Sequence, residues 1–78
     1  MTTNLHPRIS IDPRVCHGKP VIRGTRVLVA NILGALASGQ ARTEIFEDYP
    51  SITEADIDAA LEFASQMAQF ETFDYAST

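Results

Sequence analysis

The segment Ile11–Val29, IDPRVCHGKPVIRGTRVLV, constrains the chain most. Pro13, Pro20, Gly18 and Gly24 punctuate it with turn signals. Between them stand Val15, Val21, Ile22, Val27 and Val29, β-branched residues that suit a pleated backbone. Arg14, Lys19, Arg23 and Arg26 are interleaved. The segment reads as a short, tightly turned β element that displays cations, its arginines presenting fixed forks of donors.

From Val29 the period changes. Val29, Ile32, Leu33 and Leu36 fall at i, i+3, i+4 and i+7, which predicts an amphipathic helix ended by Gly39. A second, short helix is expected over about Arg42 to Tyr49, burying Ile45, Phe46 and Tyr49 and stopping before Pro50. A third is expected over Thr53–Ala68. Thr53 suits its N-cap with Asp56 three residues on, and Ile52 and Ile57 occupy the two positions of a hydrophobic staple. Its predicted buried stripe is Ile57, Ala60, Leu61, Ala64 and Met67. Upstream, Arg8-Ile9-Ser10-Ile11 alternates as a half-buried strand should, and Met1–Pro7 reads as loose. The 78 residues make one domain: a β arm over 8–29, a three-helix bundle over 29–69 and an aromatic tail over 70–78.

A domain this small buries a modest core, and its single Cys rules out an internal disulfide. Oligomerisation, most simply a homodimer, is the expected supplement. No apolar run approaches the roughly 20 residues that span a bilayer, and the opening MTTNLHPRIS lacks the apolar core of a signal peptide. A cytoplasmic protein with no membrane association is expected.

The net charge of −4 conceals a split. Every Lys and Arg lies before Thr43, where Asp12 is the lone acid; after Arg42 come nine acids and no base. Such segregation suggests two surfaces with different partners, or head-to-tail self-association, against the simpler reading of a solvated surface.

The block IDP…GKPVIRGTR, followed by GQARTEIFEDYPSITEADIDAALEFA over Gly39–Ala64, closely resembles the family catalogued as domain of unknown function 433. The resemblance runs from about Ile9 to Ala64. It implies a mainly α fold: a homeodomain-like helix-turn-helix bundle with a β extension. It also implies a role, since many members resemble VapB-like antitoxins encoded beside a PIN-like ribonuclease toxin. One departure stands out. The family usually places a hydroxyl residue near position 41 to cap the second helix with Glu44; Ala41 lacks it, so a slightly frayed start is expected.

The residues offer little for catalysis. Gly18-Lys19 lacks the rest of a phosphate loop. Cys16 and His17 are adjacent and so point apart on extended backbone, which suits packing better than a nucleophile–base pair. His6 is expected to be solvated in a loose tail. Glu54, Asp58 and Glu62, at i, i+4 and i+8, form a ridge along one helix that does not converge on a metal. No enzyme activity, no cofactor and no metal site are expected.

Binding is the remaining class. PIN-like ribonucleases resemble one another in a cluster of acids that holds a divalent metal, and an arginine from a partner can pair bidentately with such acids. Arg23 and Arg26, flanking Gly24, are the first choices for partner binding, Arg14 and Lys19 the second. Ion pairing within the chain is the competing role for all four. Phe70 and Phe73, at i and i+3, suit a partner's groove or this domain's own core. The alternative function is a DNA-binding regulator. The third helix carries four acids and no base over Thr53–Ala68, so DNA would be met by the basic arm through Arg14, Lys19, Arg23 and Arg26.

Overall fold

The computed structural model describes residues 3–69. Three strands precede three helices: β1 (Thr3–His6), β2 (Ile9–Ile11), β3 (Val21–Ile22), α1 (Val29–Ala37), α2 (Arg42–Asp48) and α3 (Glu54–Ala68). The strands form one antiparallel sheet in the order β1-β2-β3. The protein is thus mainly helical with a small sheet at its N-terminal side.

Two local expectations are corrected. The stretch expected to be loose contributes β1, paired with β2 through Thr3–Ile11, Asn4–Ser10 and His6–Ile9, with a register shift between Asn4 and His6. Its order comes from the ladder that β2 offers rather than from a pattern of its own. Thr25–Val29, the last part of the expected β arm, supplies one bridge, Val21 to Leu28. The Thr25 hydroxyl donates to the Ile22 carbonyl at 2.7 Å and accepts the Val27 N–H at 3.0 Å. With Gly24 at φ +78°, these local bonds turn the chain too tightly for a ladder to extend. Val29, whose N–H reaches the Pro20 carbonyl at 3.0 Å, already begins α1.

The core is a cluster of isoleucines. Ile9, Ile22, Ile32, Ile45, Ile52 and Ile57, one or more from each layer, bury together with Val29, Ala59 and Ala60. Leu33, Leu36, Phe46, Tyr49 and Phe63 pack half-buried around them. Each buried isoleucine contributes roughly 1.5–3 kcal/mol of transfer free energy, and β-branching leaves little rotamer freedom to lose. Ile52 and Ile57 both lie in this cluster, as the staple predicts.

The stripe on α3 is rotated from the expected one. Asp56, Ile57, Ala59 and Ala60 are buried, whereas Leu61 is 41% and Met67 43% exposed. Leu61 is neither in the core cluster nor among the half-buried residues packed against it. Met67 has the right phase, but every residue from Ser65 to Gln69 is exposed because the last turns of α3 outrun the core.

Candidate functional site

The helix starts determine which charges are left over. At α3 the Asp56 carboxylate accepts the Thr53 N–H at 2.9 Å through Oδ2. Its Oδ1 accepts from Arg8 Nη1 at 3.1 Å. This carboxylate, among the most buried polar groups at 6% exposure, therefore joins the helix start to the β1–β2 turn. At α2 the Ala41 N–H donates to Glu44 Oε1 at 2.9 Å, and the Glu44 N–H goes to the Ala41 carbonyl at 3.0 Å. The acid's half of the capping box thus forms without the hydroxyl half, and α2 starts at Arg42 with its first turn bonded, the Ile45 N–H reaching the Ala41 carbonyl at 3.1 Å, rather than frayed as the missing hydroxyl suggests.

The acidic ridge is also engaged. Arg42 Nη1 bridges Glu54 and Asp58, with the Asp58 contact at 3.0 Å. Those hydrogen bonds, to Asp58 first and then Glu54, raise the Arg42 pKa above its ordinary value. His6, expected in a solvated tail, instead sits half-buried on β1. Its Nδ1 accepts the Arg8 N–H at 3.1 Å, and its Nε2 lies 3.5 Å from Glu62 Oε1.

The candidate cations divide into two sets. Arg14 is held by its neighbour: Nε and Nη2 donate to the Asp12 carboxylate, each at 3.1 Å. That hydrogen bonding raises the Arg14 pKa, with the Coulombic attraction of Asp12 adding to it. For Arg14 the local ion pair is the observed role. Lys19, Arg23 and Arg26 are exposed, and no side-chain hydrogen bond or ion pair engages them among the described residues. Although Arg23 and Arg26 share one turn, they line different clefts. Arg26 borders a depression of about 450 Å³ with Ser10, Asp12, Val15, Val21, Gly24 and Thr25. Arg23 borders one of about 330 Å³ with Pro7, Arg8 and Asp56. Phe70 and Phe73 lie outside the described residues.

The Cys16–Gly18 turn beside the first cleft is strained. Cys16 (φ +50°), His17 (φ +59°) and Gly18 (φ +79°) are all left-handed in succession, and such residues cost of order 1–3 kcal/mol each unless glycine. Bonds from the Gly18 N–H to the Val15 carbonyl (3.0 Å) and the Lys19 N–H to the Cys16 carbonyl (3.2 Å) hold the turn. The thiol donates to the Arg26 carbonyl at 3.5 Å, not to the neighbouring imidazole. Among the described residues no group of three or more His, Cys, Asp or Glu side chains is arranged to hold a metal, and no helix is long and apolar enough to cross a membrane.

Two residues that shape this surface carry no local sequence signal for it. Arg8 and Asp56 meet across 48 positions, and each looks unremarkable alone, a charge before a strand and an acid in a first turn.

No curated protein and no solved structure matches the chain. A family model described as "Protein of unknown function (DUF433)" matches residues 9–64, from the first residue of β2 into α3. That span takes in the buried isoleucine cluster, the strained turn and the three unengaged cations, and on it the chain belongs to the DUF433 family.

Proposed function

We propose that this chain is the antitoxin of a toxin–antitoxin pair and that it binds and silences a PIN-like ribonuclease. One observation carries the reading: Lys19, Arg23 and Arg26 flank β3, exposed and with no ion-pair partner among the described residues, while Asp56, Glu54 and Asp58 of α3 have internal partners. Asp56 is bonded to Arg8 and Asp12 to Arg14, which leaves Arg23 and Arg26 suited to the carboxylates of another protein. Guanidinium forks laid on metal-holding acids would compete with the metal for the same oxygens. The family resemblance supplies the partner class. In this reading α1–α3 form a homeodomain-like helix-turn-helix bundle used as a scaffold, and a homodimer presents two sets of these cations.

DNA binding is the second reading. It draws on the same three cations, but α3, the groove-reading helix of such folds, presents Glu54, Asp58 and Glu62 at its surface, which a polyanion repels.

The test is affinity capture of the tagged chain from its native host, followed by mass spectrometry. The expected result is a stoichiometric small nuclease whose metal-dependent RNA cleavage appears only after separation from this chain. Recovery of the chain alone, as a homodimer with a strongly salt-dependent affinity for upstream operon DNA, would overturn it in favour of the DNA reading.

A further inference from the structure

The cleft beneath Arg23 has a composition that sets it apart from the other unengaged cations. Strands β2 and β3 pair Ile9 with Ile22 and Ser10 with Val21. One step further along that register, the Arg23 N–H donates to the Arg8 carbonyl at 2.8 Å. Arg8 and Arg23 are therefore cross-strand neighbours, a geometry in which side chains leave the same face about 5 Å apart at Cβ. Like charges so placed repel one another. Asp56, at the base of the cleft, offsets one of them: it accepts a single Nη1 of Arg8. The Arg8 side chain remains 50% exposed, and the Arg23 guanidinium has no partner among the described residues. Two guanidiniums against one carboxylate leave the cleft one positive charge in excess, with most of its donors unspent.

We infer that Arg8 and Arg23 form a discrete binding site for one monoanionic oxyanion, and that its natural occupant is the carboxylate of an aspartate or glutamate on a protein partner. The excess of one charge matches a monoanion. The planar two-oxygen acceptor matches a pair of guanidinium forks. A volume of about 330 Å³ accommodates a whole acidic side chain. A phosphodiester offers the same local chemistry, but it arrives in a polyanion. Asp56 itself stands in the cleft and the chain carries a net charge of −4, so a run of phosphates is opposed where a single carboxylate is not. The site deepens the antitoxin reading and rests on it for the partner being a protein. It also separates Arg23, which works with Arg8, from Arg26, which lines the other cleft.

The site can be tested on the isolated chain. The ¹⁵N-labelled protein is titrated with sodium acetate, and with sodium chloride at matched ionic strength, while the arginine Nε–H signals are followed. The expected result is a saturable acetate shift of Arg8 and Arg23 together, with Arg42, already held by Glu54 and Asp58, unmoved. Arg23→Gln is expected to reduce the Arg8 response at least fivefold without lowering the unfolding temperature, since Arg23 is exposed and unpaired. A short glutamate-rich peptide should displace acetate at lower concentration than an oligonucleotide of equal charge. Equal responses to acetate and chloride would overturn the site, as would an Arg8 response that survives Arg23→Gln. Stronger displacement by the oligonucleotide would overturn the carboxylate assignment. None of these outcomes depends on the nuclease, so the site can fail while affinity capture still returns a ribonuclease, and the reverse.

Discussion

The helical half and the sheet half of this molecule are oppositely charged, and they treat their charges oppositely. Among the acids of α3, Asp56 is tied to Arg8, Glu54 and Asp58 share Arg42, and Glu62 faces His6. Among the cations of the sheet half, Arg8 is tied to Asp56 and Arg14 to Asp12; Lys19, Arg23 and Arg26 have no ion-pair partner among the described residues. One half spends its charge on holding itself together. The other keeps three cations in reserve, Lys19 beside the strained Cys16–Gly18 turn and Arg23 and Arg26 on the turn around Gly24. Exposed ion pairs contribute about 0–1 kcal/mol each, so what the comparison teaches lies less in stability than in availability.

If the helices are scaffold, damage there should appear as lost stability. Ile57 is fully buried at the junction of the staple and the core. Ile57→Ala is expected to cost about 3 kcal/mol, the middle of the range for isoleucine truncation in a packed core. Urea unfolding of the two proteins measures it, and a loss below about 1 kcal/mol would mean that the isoleucine cluster is not the centre of the fold.

Asp56→Ala tests the one residue that belongs to both halves. It leaves the Thr53 N–H without its acceptor and Arg8 without its carboxylate. The expected cost is roughly 2 kcal/mol, because a bond to a charged acceptor is worth more than a neutral one and half-exposed Arg8 recovers part of the loss from water. Asp56→Asn, which keeps an oxygen for the Thr53 N–H, should recover about half of this in the same unfolding assay. If the two variants are equally destabilised, the link to the sheet matters and the cap does not.

The reserve cations should behave in the opposite way. Arg23→Gln combined with Arg26→Gln is expected to leave unfolding within about 0.5 kcal/mol of the parent, as surface changes away from structural contacts do. Capture of the nuclease partner should weaken at least tenfold, about 1.4 kcal/mol. Unchanged capture would erase the distinction between the halves.

The core was more legible than the site, and the reason is range. Isoleucines at helical spacing, the Ile52–Ile57 staple and the stop before Pro50 are read from neighbours a few residues apart, and each appears where expected. Leu61 fits the spacing of the buried stripe because α3 has more apolar positions than one face needs, and only the direction of its packing partners selects among them. β1 depends on a ladder offered by another strand. The Arg8–Asp56 contact spans 48 positions, so nothing local announces the cleft that it floors. The free cations were visible as charges, but not as two separate clefts.

The smallest predicted effects concern the two caps, where residue type and observed bonding disagree. Thr53 has the favoured hydroxyl, yet its Oγ makes no cap bond; the Asp56 N–H goes to the Thr53 carbonyl at 3.0 Å. Ala41 has no hydroxyl, and its N–H is held by Glu44 alone. Both helices therefore begin on the same half of a capping box, with the acid reaching back and nothing reaching forward. An ordinary Thr→Ala change at an N-cap costs about 1 kcal/mol. Here Thr53→Ala is expected to cost less than about 0.5 kcal/mol, because the hydroxyl bond that would be lost is not made. Ala41→Ser should stabilise by about 0.5–1 kcal/mol by adding an acceptor for a first-turn N–H at an extended residue, φ −70° and ψ 151°, already suited to capping. Thermal unfolding of the two single variants beside the parent decides the matter. If Thr53→Ala costs a full kilocalorie, the Thr53 hydroxyl caps α3 in solution, and the two helix starts differ as their residue types suggest.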